Sequence, residues 1–210
     1  MPTRIKVCGI TRLEDARLAV ELGAAALGFN FYPPSPRYIA PGAARSIVEE
    51  LPPLVVTVGV YANEAEMEHV IAVARESGVG AIQLHGPRFP EASGQPTGYP
   101  LIRAVAVNEH FKAETLSGFH ANAFLLDAFH QNLSGGTGKS FDWQLAREAN
   151  RYGTIILAGG LNPDNVGRAI REVRPFAVDV ASGVESAPGQ KDPSLLRAFF
   201  SAVAEADRDL

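Results

Sequence analysis

The feature that most limits how this chain can fold is a rhythm. Short apolar runs rich in Val, Ile and Leu alternate with amphipathic stretches along the sequence. An apolar run of roughly four to eight residues bounded by turn-formers reads as a strand buried on both faces, and a helix-period stretch between two such runs makes the strands parallel. Eight candidate strands follow, over residues 3–8, 25–31, 54–61, 79–84, 101–107, 123–128, 154–158 and 176–181. Helical stretches are expected at about 12–22, 42–51, 63–77, 110–118, 142–151, 162–173 and 192–206.

Eight strands with nearly as many helices predict an α/β chain folded as a (β/α)8 TIM barrel, one domain over residues 1–210. A doubly wound sheet needs fewer strands and leaves the eighth unit without a place. Two helix starts carry local markers: Asn63 with Glu66 reads as an N-cap followed by a carboxylate, and Asn162-Pro163 puts proline at the first helical position. The fourth helix is degenerate, because Pro87, Pro90, Pro96 and Pro100 interrupt residues 86–100 and Gly94 and Gly98 lower their propensity further. At most one short turn is expected there, with Phe89 and Tyr99 packed down as a lid or a second subunit over the gap.

Composition narrows the partners. Nineteen basic residues against 23 acidic ones leave a net charge of -4, and no basic stripe of the kind that binds nucleic acid is present. The longest apolar runs are short and broken by proline, so no membrane span is expected. The N-terminal "MPTRIKVCGIT" goes straight into a strand without the apolar stretch of a signal peptide, and the single cysteine, Cys8, suits a reducing compartment; a cytoplasmic protein is expected. Monomer and homodimer are both open.

In such a barrel the chemistry sits at the C-terminal ends of the strands and in the loops that follow. Those ends read, in order, "KVCGIT", "GFNFYPPSPRYI", "QLHG", "LLDA", "LAGGLNPDNV" and "VDVASGVE". With "GGTGKSFDW" before the seventh strand, these segments other than "LLDA" make six motifs in order that resemble the phosphoribosylanthranilate isomerase family over nearly the whole chain. The resemblance implies a small-molecule substrate, N-(5-phosphoribosyl)anthranilate, an Amadori rearrangement, and no cofactor. It matches Cys8 to the family's general base, Asp127 to its general acid, and Arg37 to the group that holds the anthranilate carboxylate.

Each residue also has a plainer reading. A lone cysteine is usually a small buried hydrophobe. At a barrel mouth, with Lys6 on its own face of the strand, the Cys8 thiol can instead be ionised by a neighbouring cation. Lys6 itself reads as a wall residue paired with Asp179. Asp127 ends a run written for burial, where a carboxylate is costly unless paired or functional, and acting as an acid requires a raised pKa. Arg37 is either a solvated loop charge or, after the stiff "PPSP", a planar carboxylate clamp.

Gly159 and Gly160 after strand seven, with Ser182 and Gly183 after strand eight, occupy the two loops that commonly bind phosphate in these barrels. "GGTGKS" at residues 135–140 lacks P-loop spacing, so nucleotide binding is rejected. Gln83 and His85 share a face at the end of strand four, and His85 reads equally as a site-wall residue or a hydrogen-bonded structural histidine. The histidines and carboxylates show no metal-ligand spacing, so no metal is expected. Two rival readings stand beside the isomerase. One is a related sugar-phosphate isomerase of histidine biosynthesis, or a bifunctional enzyme, against which the first-strand Cys8 counts. The other is a non-catalytic barrel that only binds a phosphorylated ligand.

Overall fold

The computed structural model describes residues 1–63, 66–86, 98–108, 110–127 and 143–210. Eight parallel strands close into a barrel in sequence order: β1 (Arg4–Cys8), β2 (Ala26–Asn30), β3 (Val56–Ala62), β4 (Ala81–His85), β5 (Leu101–Ala106), β6 (Ala123–Asp127), β7 (Ile155–Ala158) and β8 (Ala177–Val180). Strand β8 pairs back onto β1 and completes the ring. Helices α1 (Leu13–Glu21), α2 (Pro41–Val48), α3 (Met67–Ser77), α4 (Trp143–Ala149) and α5 (Val166–Val173) lie between strands, and α6 (Pro193–Arg208) follows the last one. A short hairpin, β9 (Glu185–Ala187) with β10 (Gln190–Lys191), precedes α6.

Strand alternation sorts the apolar residues into two cores. On β6, Phe124 and Leu126 face outward into the large sheet–helix cluster, together with Leu27, Ile82, Leu157 and Val178. Ala123 and Leu125 face inward and pack with Ala104, Ile156, Ala158 and Ala177 as the plug of the barrel. The same alternation puts Asp127 on the inward face, at the C-terminal rim above that plug.

Local chemistry fixes the helix ends. Asp192 caps α6, its carboxylate accepting from the backbone N–H of Ser194 and Leu195 at 2.8 and 3.0 Å, with Pro193 at the first helical position. Helix α3 stops at Gly78, which adopts the left-handed conformation at φ 73°.

Three expectations need correcting. Asn63 does not cap α3: it has φ 56°, its N–H donates to the His85 carbonyl at 3.0 Å, and the cap position falls to Glu66 without a side-chain bond. The helix expected over residues 110–118 is a 3-10 segment, Ala113–Gly118. There the hydroxyls of Thr115 and Ser117 bond back to the carbonyls of Lys112 and Glu114, competing with α-helical pairing, and Gly118 ends the turn. Asn162 does cap a turn, accepting from the N–H of Asp164 and Asn165, but the regular helix begins only at Val166. The expected degenerate fourth helix falls mostly on residues 87–97, outside the described residues, as does Phe89; Tyr99 packs against the outer core.

Two charges break the apolar interior where the ring closes. Lys6 and Asp179 are register partners across the β1–β8 seam, and Lys6 Nζ lies 2.8 Å from the carboxylate. Burial alone would lower the Lys6 pKa, yet Asp179 beside it, with a smaller effect of Cys8, holds it above its ordinary value. Removing one member of such a pair leaves the other charge buried alone, at a cost of about 3–5 kcal/mol, whereas replacing both by apolar groups costs far less. Lys6→Met is therefore expected to lower unfolding stability by about 3–5 kcal/mol in urea titrations, and Lys6→Met with Asp179→Leu to recover most of it.

Candidate active site

The C-terminal mouth of the barrel holds a cleft of about 420 Å³. It is lined by Cys8, Arg37, Gln83, His85, Asp127, Gly159, Gly160 and Ser182. Of the residues matched in the sequence to catalysis or substrate binding, only Gly183 is not in the lining. Its role is steric: a side chain there would run into the Leu161 carbonyl and the Asn162 backbone, so glycine lets the turn after β8 lie against the loop after β7.

Cys8 ends β1 opposite Gly28 of β2. A Cβ on Gly28 would sit 2.8 Å from Cys8 Sγ and 3.0 Å from Lys6 Nζ, so the space that holds thiol and ammonium side by side exists only because Gly28 has no side chain. The thiol is not ionised by Lys6 in the way the shared face suggests. Burial pushes its pKa above the ordinary thiol value; Lys6 pulls it down, and Asp179, which already engages Lys6, pushes it back up. Cys8 therefore rests as the neutral thiol.

On β4, Gln83 Nε2 lies 2.5 Å from His85 Nε2. Burial, helped by the positive charge of Lys6, depresses the His85 pKa to about 4, so the ring is neutral near pH 7 and its Nε2 accepts from the amide. Gln83 is 1% exposed, and its Oε1 finds no partner among the described residues, which leaves a buried acceptor in the cleft wall.

After β2 the "PPSPR" loop folds back on Asn30. The Asn30 side chain donates to the Ser35 hydroxyl at 3.1 Å and accepts from the Tyr32 N–H at 2.9 Å, and the Ser35 hydroxyl accepts from the Arg37 N–H at 3.1 Å. Asn30 itself lines the cleft, a residue that sequence reasoning passed over. Its signal was position, two residues beyond Gly28 on the same inward face. Arg37 is no solvated loop charge. Its guanidinium is paired with Glu185, Nε donating at 2.9 and 3.0 Å and Nη2 at 2.6 Å. Burial would raise the Glu185 pKa, but bonds from Arg37 and Lys191 hold it below the ordinary carboxylate value.

Gly159 and Gly160 both have positive φ, 93° and 66°, and Asn165 donates to the Gly160 carbonyl at 3.0 Å. The loop thus turns tightly ahead of α5 and shows its backbone to the cleft, opposite Ser182. "GGTGKS" lies outside the described residues. Among the described residues no cluster of His, Cys, Asp and Glu could hold a metal ion, and no helix is long and apolar enough to cross a membrane.

The family model for N-(5'phosphoribosyl)anthranilate (PRA) isomerase matches residues 5–202. The chain belongs to this family. It is 48% identical over 204 residues to N-(5'-phosphoribosyl)anthranilate isomerase of Trichlorobacter lovleyi, covering 97% of this chain and 98% of that one. To the enzyme of the same name from Citrifermentans bemidjiense it is 47% identical over 206 residues, 98% of each chain. Among solved structures, phosphoribosyl anthranilate isomerase from Thermotoga maritima superposes with a TM-score of 0.86 at 45% identity, over 97% of this chain and 99% of that one. Another isomerase structure, in complex with reduced 1-(o-carboxyphenylamino)-1-deoxyribulose 5-phosphate, gives 0.84 at 42% identity, with the same coverage of the two chains.

The His85 environment carries a pH signature. The folded chain disfavours the imidazolium that the unfolded chain accepts at the ordinary pKa of 6.5, so stability is complete above that pH and is lost as pH falls toward about 4. The thermal midpoint is expected to drop across this window, and His85→Gln, which has no ionisation there, to flatten that part of the profile.

Proposed function

We propose that this chain, as one isomerase domain over residues 1–210, converts N-(5-phosphoribosyl)anthranilate to 1-(2-carboxyphenylamino)-1-deoxyribulose 5-phosphate in tryptophan biosynthesis. The observation that carries the assignment of roles is that Cys8 of β1 and Asp127 of β6, on strands that are not neighbours in the ring, line one cleft. An aldose-to-ketose rearrangement needs an acid at the ring oxygen and a base at C2, reaching the sugar from different directions.

Asp127 acts as the acid. Its proton goes to the furanose ring oxygen as the C1–O bond breaks, and the anthranilate nitrogen supplies the electron pair that forms the C1=N cation. Cys8 acts as the base, taking the proton from C2. The C–H electron pair becomes the C1=C2 bond, the imine electrons return to nitrogen, and the resulting enolamine relaxes to the ketone. Before this step the thiol, which rests neutral, gives its own proton to water, because the imine cation one bond from the C2 proton favours a thiolate beside it; that thiolate then takes the C2 proton. No cofactor enters the scheme.

Arg37 holds the anthranilate carboxylate. The backbone at Gly159 and Gly160, with Ser182, receives the phosphate, and Gly183 keeps those two loops together. Gln83 and His85 form the neutral wall against the sugar. We further infer a cytoplasmic enzyme with a small-molecule substrate and neither nucleic acid nor membrane as partner, on the support of a net charge of -4 and the lone Cys8.

The purified protein is expected to consume phosphoribosylanthranilate with loss of anthranilate-type fluorescence. Cys8→Ala and Asp127→Asn should each lower kcat by at least about 100-fold with the folding transition intact, since each removes a proton-transfer group and little core volume. Wild-type turnover in either variant would remove that residue from the mechanism. Arg37→Lys should raise KM well beyond any effect on stability, because an ammonium cannot reproduce a planar two-point contact. Unchanged affinity would show Arg37 to be a structural charge alone.

A further inference from the structure

The hairpin of β9 and β10 carries two charged residues for which the reaction has no direct use, yet both are buried against the site. The Lys191 side chain is 0% exposed and that of Glu185 4%. Lys191 Nζ donates to the Cys8 carbonyl at 2.6 Å, the Ala181 carbonyl at 3.1 Å and Glu185 Oε1 at 2.8 Å, which uses all three ammonium hydrogens. The first two acceptors are where β1 and β8 leave the barrel. The third passes the connection on to Arg37.

The contact with Arg37 is specific to one edge. Glu185 accepts from Nε and Nη2, the side of the guanidinium fork. Among the described residues nothing takes the end of the fork, Nη1 with the second hydrogen of Nη2, which is left for another planar acceptor. The stem is held as well: Gly9, at φ 76°, passes so close that a Cβ there would lie 2.6 Å from Arg37 Cδ. Charge decides what this edge attracts. Arg37 with Glu185 alone would be neutral and would draw an anion weakly. Buried Lys191 balances Glu185, and the trio keeps one net positive charge at the cleft.

We propose that Glu185 and Lys191 are positioning residues for the carboxylate clamp: Glu185 fixes Arg37 with its end edge toward the cleft, and Lys191 neutralises Glu185 while tying the clamp to the strand end that carries Cys8. This rests on the reading of Arg37 as the group that holds the aromatic carboxylate of the substrate. The arrangement removes in advance the side-chain freedom that a free arginine loses on binding.

The test compares phosphoribosylanthranilate with the N-phosphoribosyl aniline analogue, which lacks the carboxylate. Glu185→Gln is expected to raise KM for the substrate about 10-fold with kcat changed less than about two-fold, and to leave Kd of the analogue unchanged. Lys191→Met should act in the same direction. Because Glu185 works through Arg37, Arg37→Ala with Glu185→Gln should lose no more affinity than Arg37→Ala alone. A lower KM in Glu185→Gln would make Glu185 a competitor of the substrate, and equal losses on both ligands or additive losses in the double variant would make it a merely structural residue. Each of these overturns the proposal. If Arg37→Ala itself fails to discriminate between substrate and analogue, it is the reading of Arg37 that fails. Should Glu185→Gln not fold, Glu185→Asp, which keeps the charge but withdraws it from the fork, carries the same expectations.

Discussion

Everything at the mouth of this barrel hangs from the seam where β8 meets β1. A barrel can close only if its first and last strands pair, and here the pairing register sets Lys6 beside Asp179 inside the ring. Two residues further along β1, on the same face, is Cys8; two beyond Asp179, just past the end of β8, is Ala181. Lys191 then bonds to the carbonyls of both, so the seam is stitched by an ion pair within the barrel and by an ammonium at its rim. A slip of one residue in this register would turn Lys6 and Cys8 outward together. The buried charges are poor sources of stability, since their desolvation offsets most of their attraction. What they can provide is a definite register at the point where the proposed base, Cys8, is placed.

Absent side chains shape the site as much as present ones. Gly28 leaves the space for the Cys8 thiol and the Lys6 ammonium, Gly9 lets the Arg37 stem lie against the backbone, and Gly183 lets the last two loops touch. Each is a position where a methyl group would collide with a side chain of the cleft or with the backbone of a neighbouring loop. Below this layer the inner core of Ala104, Ala123, Leu125, Ile156, Ala158 and Ala177 fills the barrel with small and medium side chains. The interior thus changes along the axis from apolar plug to polar mouth, and stability and chemistry occupy different heights of the same strands.

The strands were legible because each is a short apolar run between turn-formers, and their observed limits differ from the expected ones by only one or two residues. The helix ends were less so. Asn63 carries the signature of a cap, but the strand end beside it offered the His85 carbonyl as a competing partner, and that contact lies in another part of the chain. The cleft residues could be read because a parallel barrel fixes in advance which strand ends converge. Glu185 and Lys191 escaped for the opposite reason. Six residues apart around a Pro-Gly turn, they read as surface charges of a loop, and only the fold shows that the hairpin tucks both against the ends of β1 and β8. The turn signal in "SAPGQK" was the available clue, since a tight hairpin brings flanking residues together. The Cys8 pKa is hidden from the sequence in the same way. The cation beside it could be seen in the sequence, whereas the desolvation that outweighs that cation, and the engagement of Lys6 by Asp179, belong to the packed barrel.

The burial of Cys8 has a chemical consequence. The proposed substrate brings a carboxylate and a phosphate into the cleft, so a base that rested as an anion would repel both. A thiol kept neutral by burial avoids this. It adds no charge while the substrate enters, and the positive imine made by ring opening supplies, at the moment of need and close to the sulfur, the field that makes a thiolate less costly. Reactivity that appears only after the acid has done its part also orders the two proton transfers: ring opening comes first, C2 deprotonation second. In this reading the high resting pKa of Cys8 is what makes the base respond to the intermediate and spares the cleft an early negative charge.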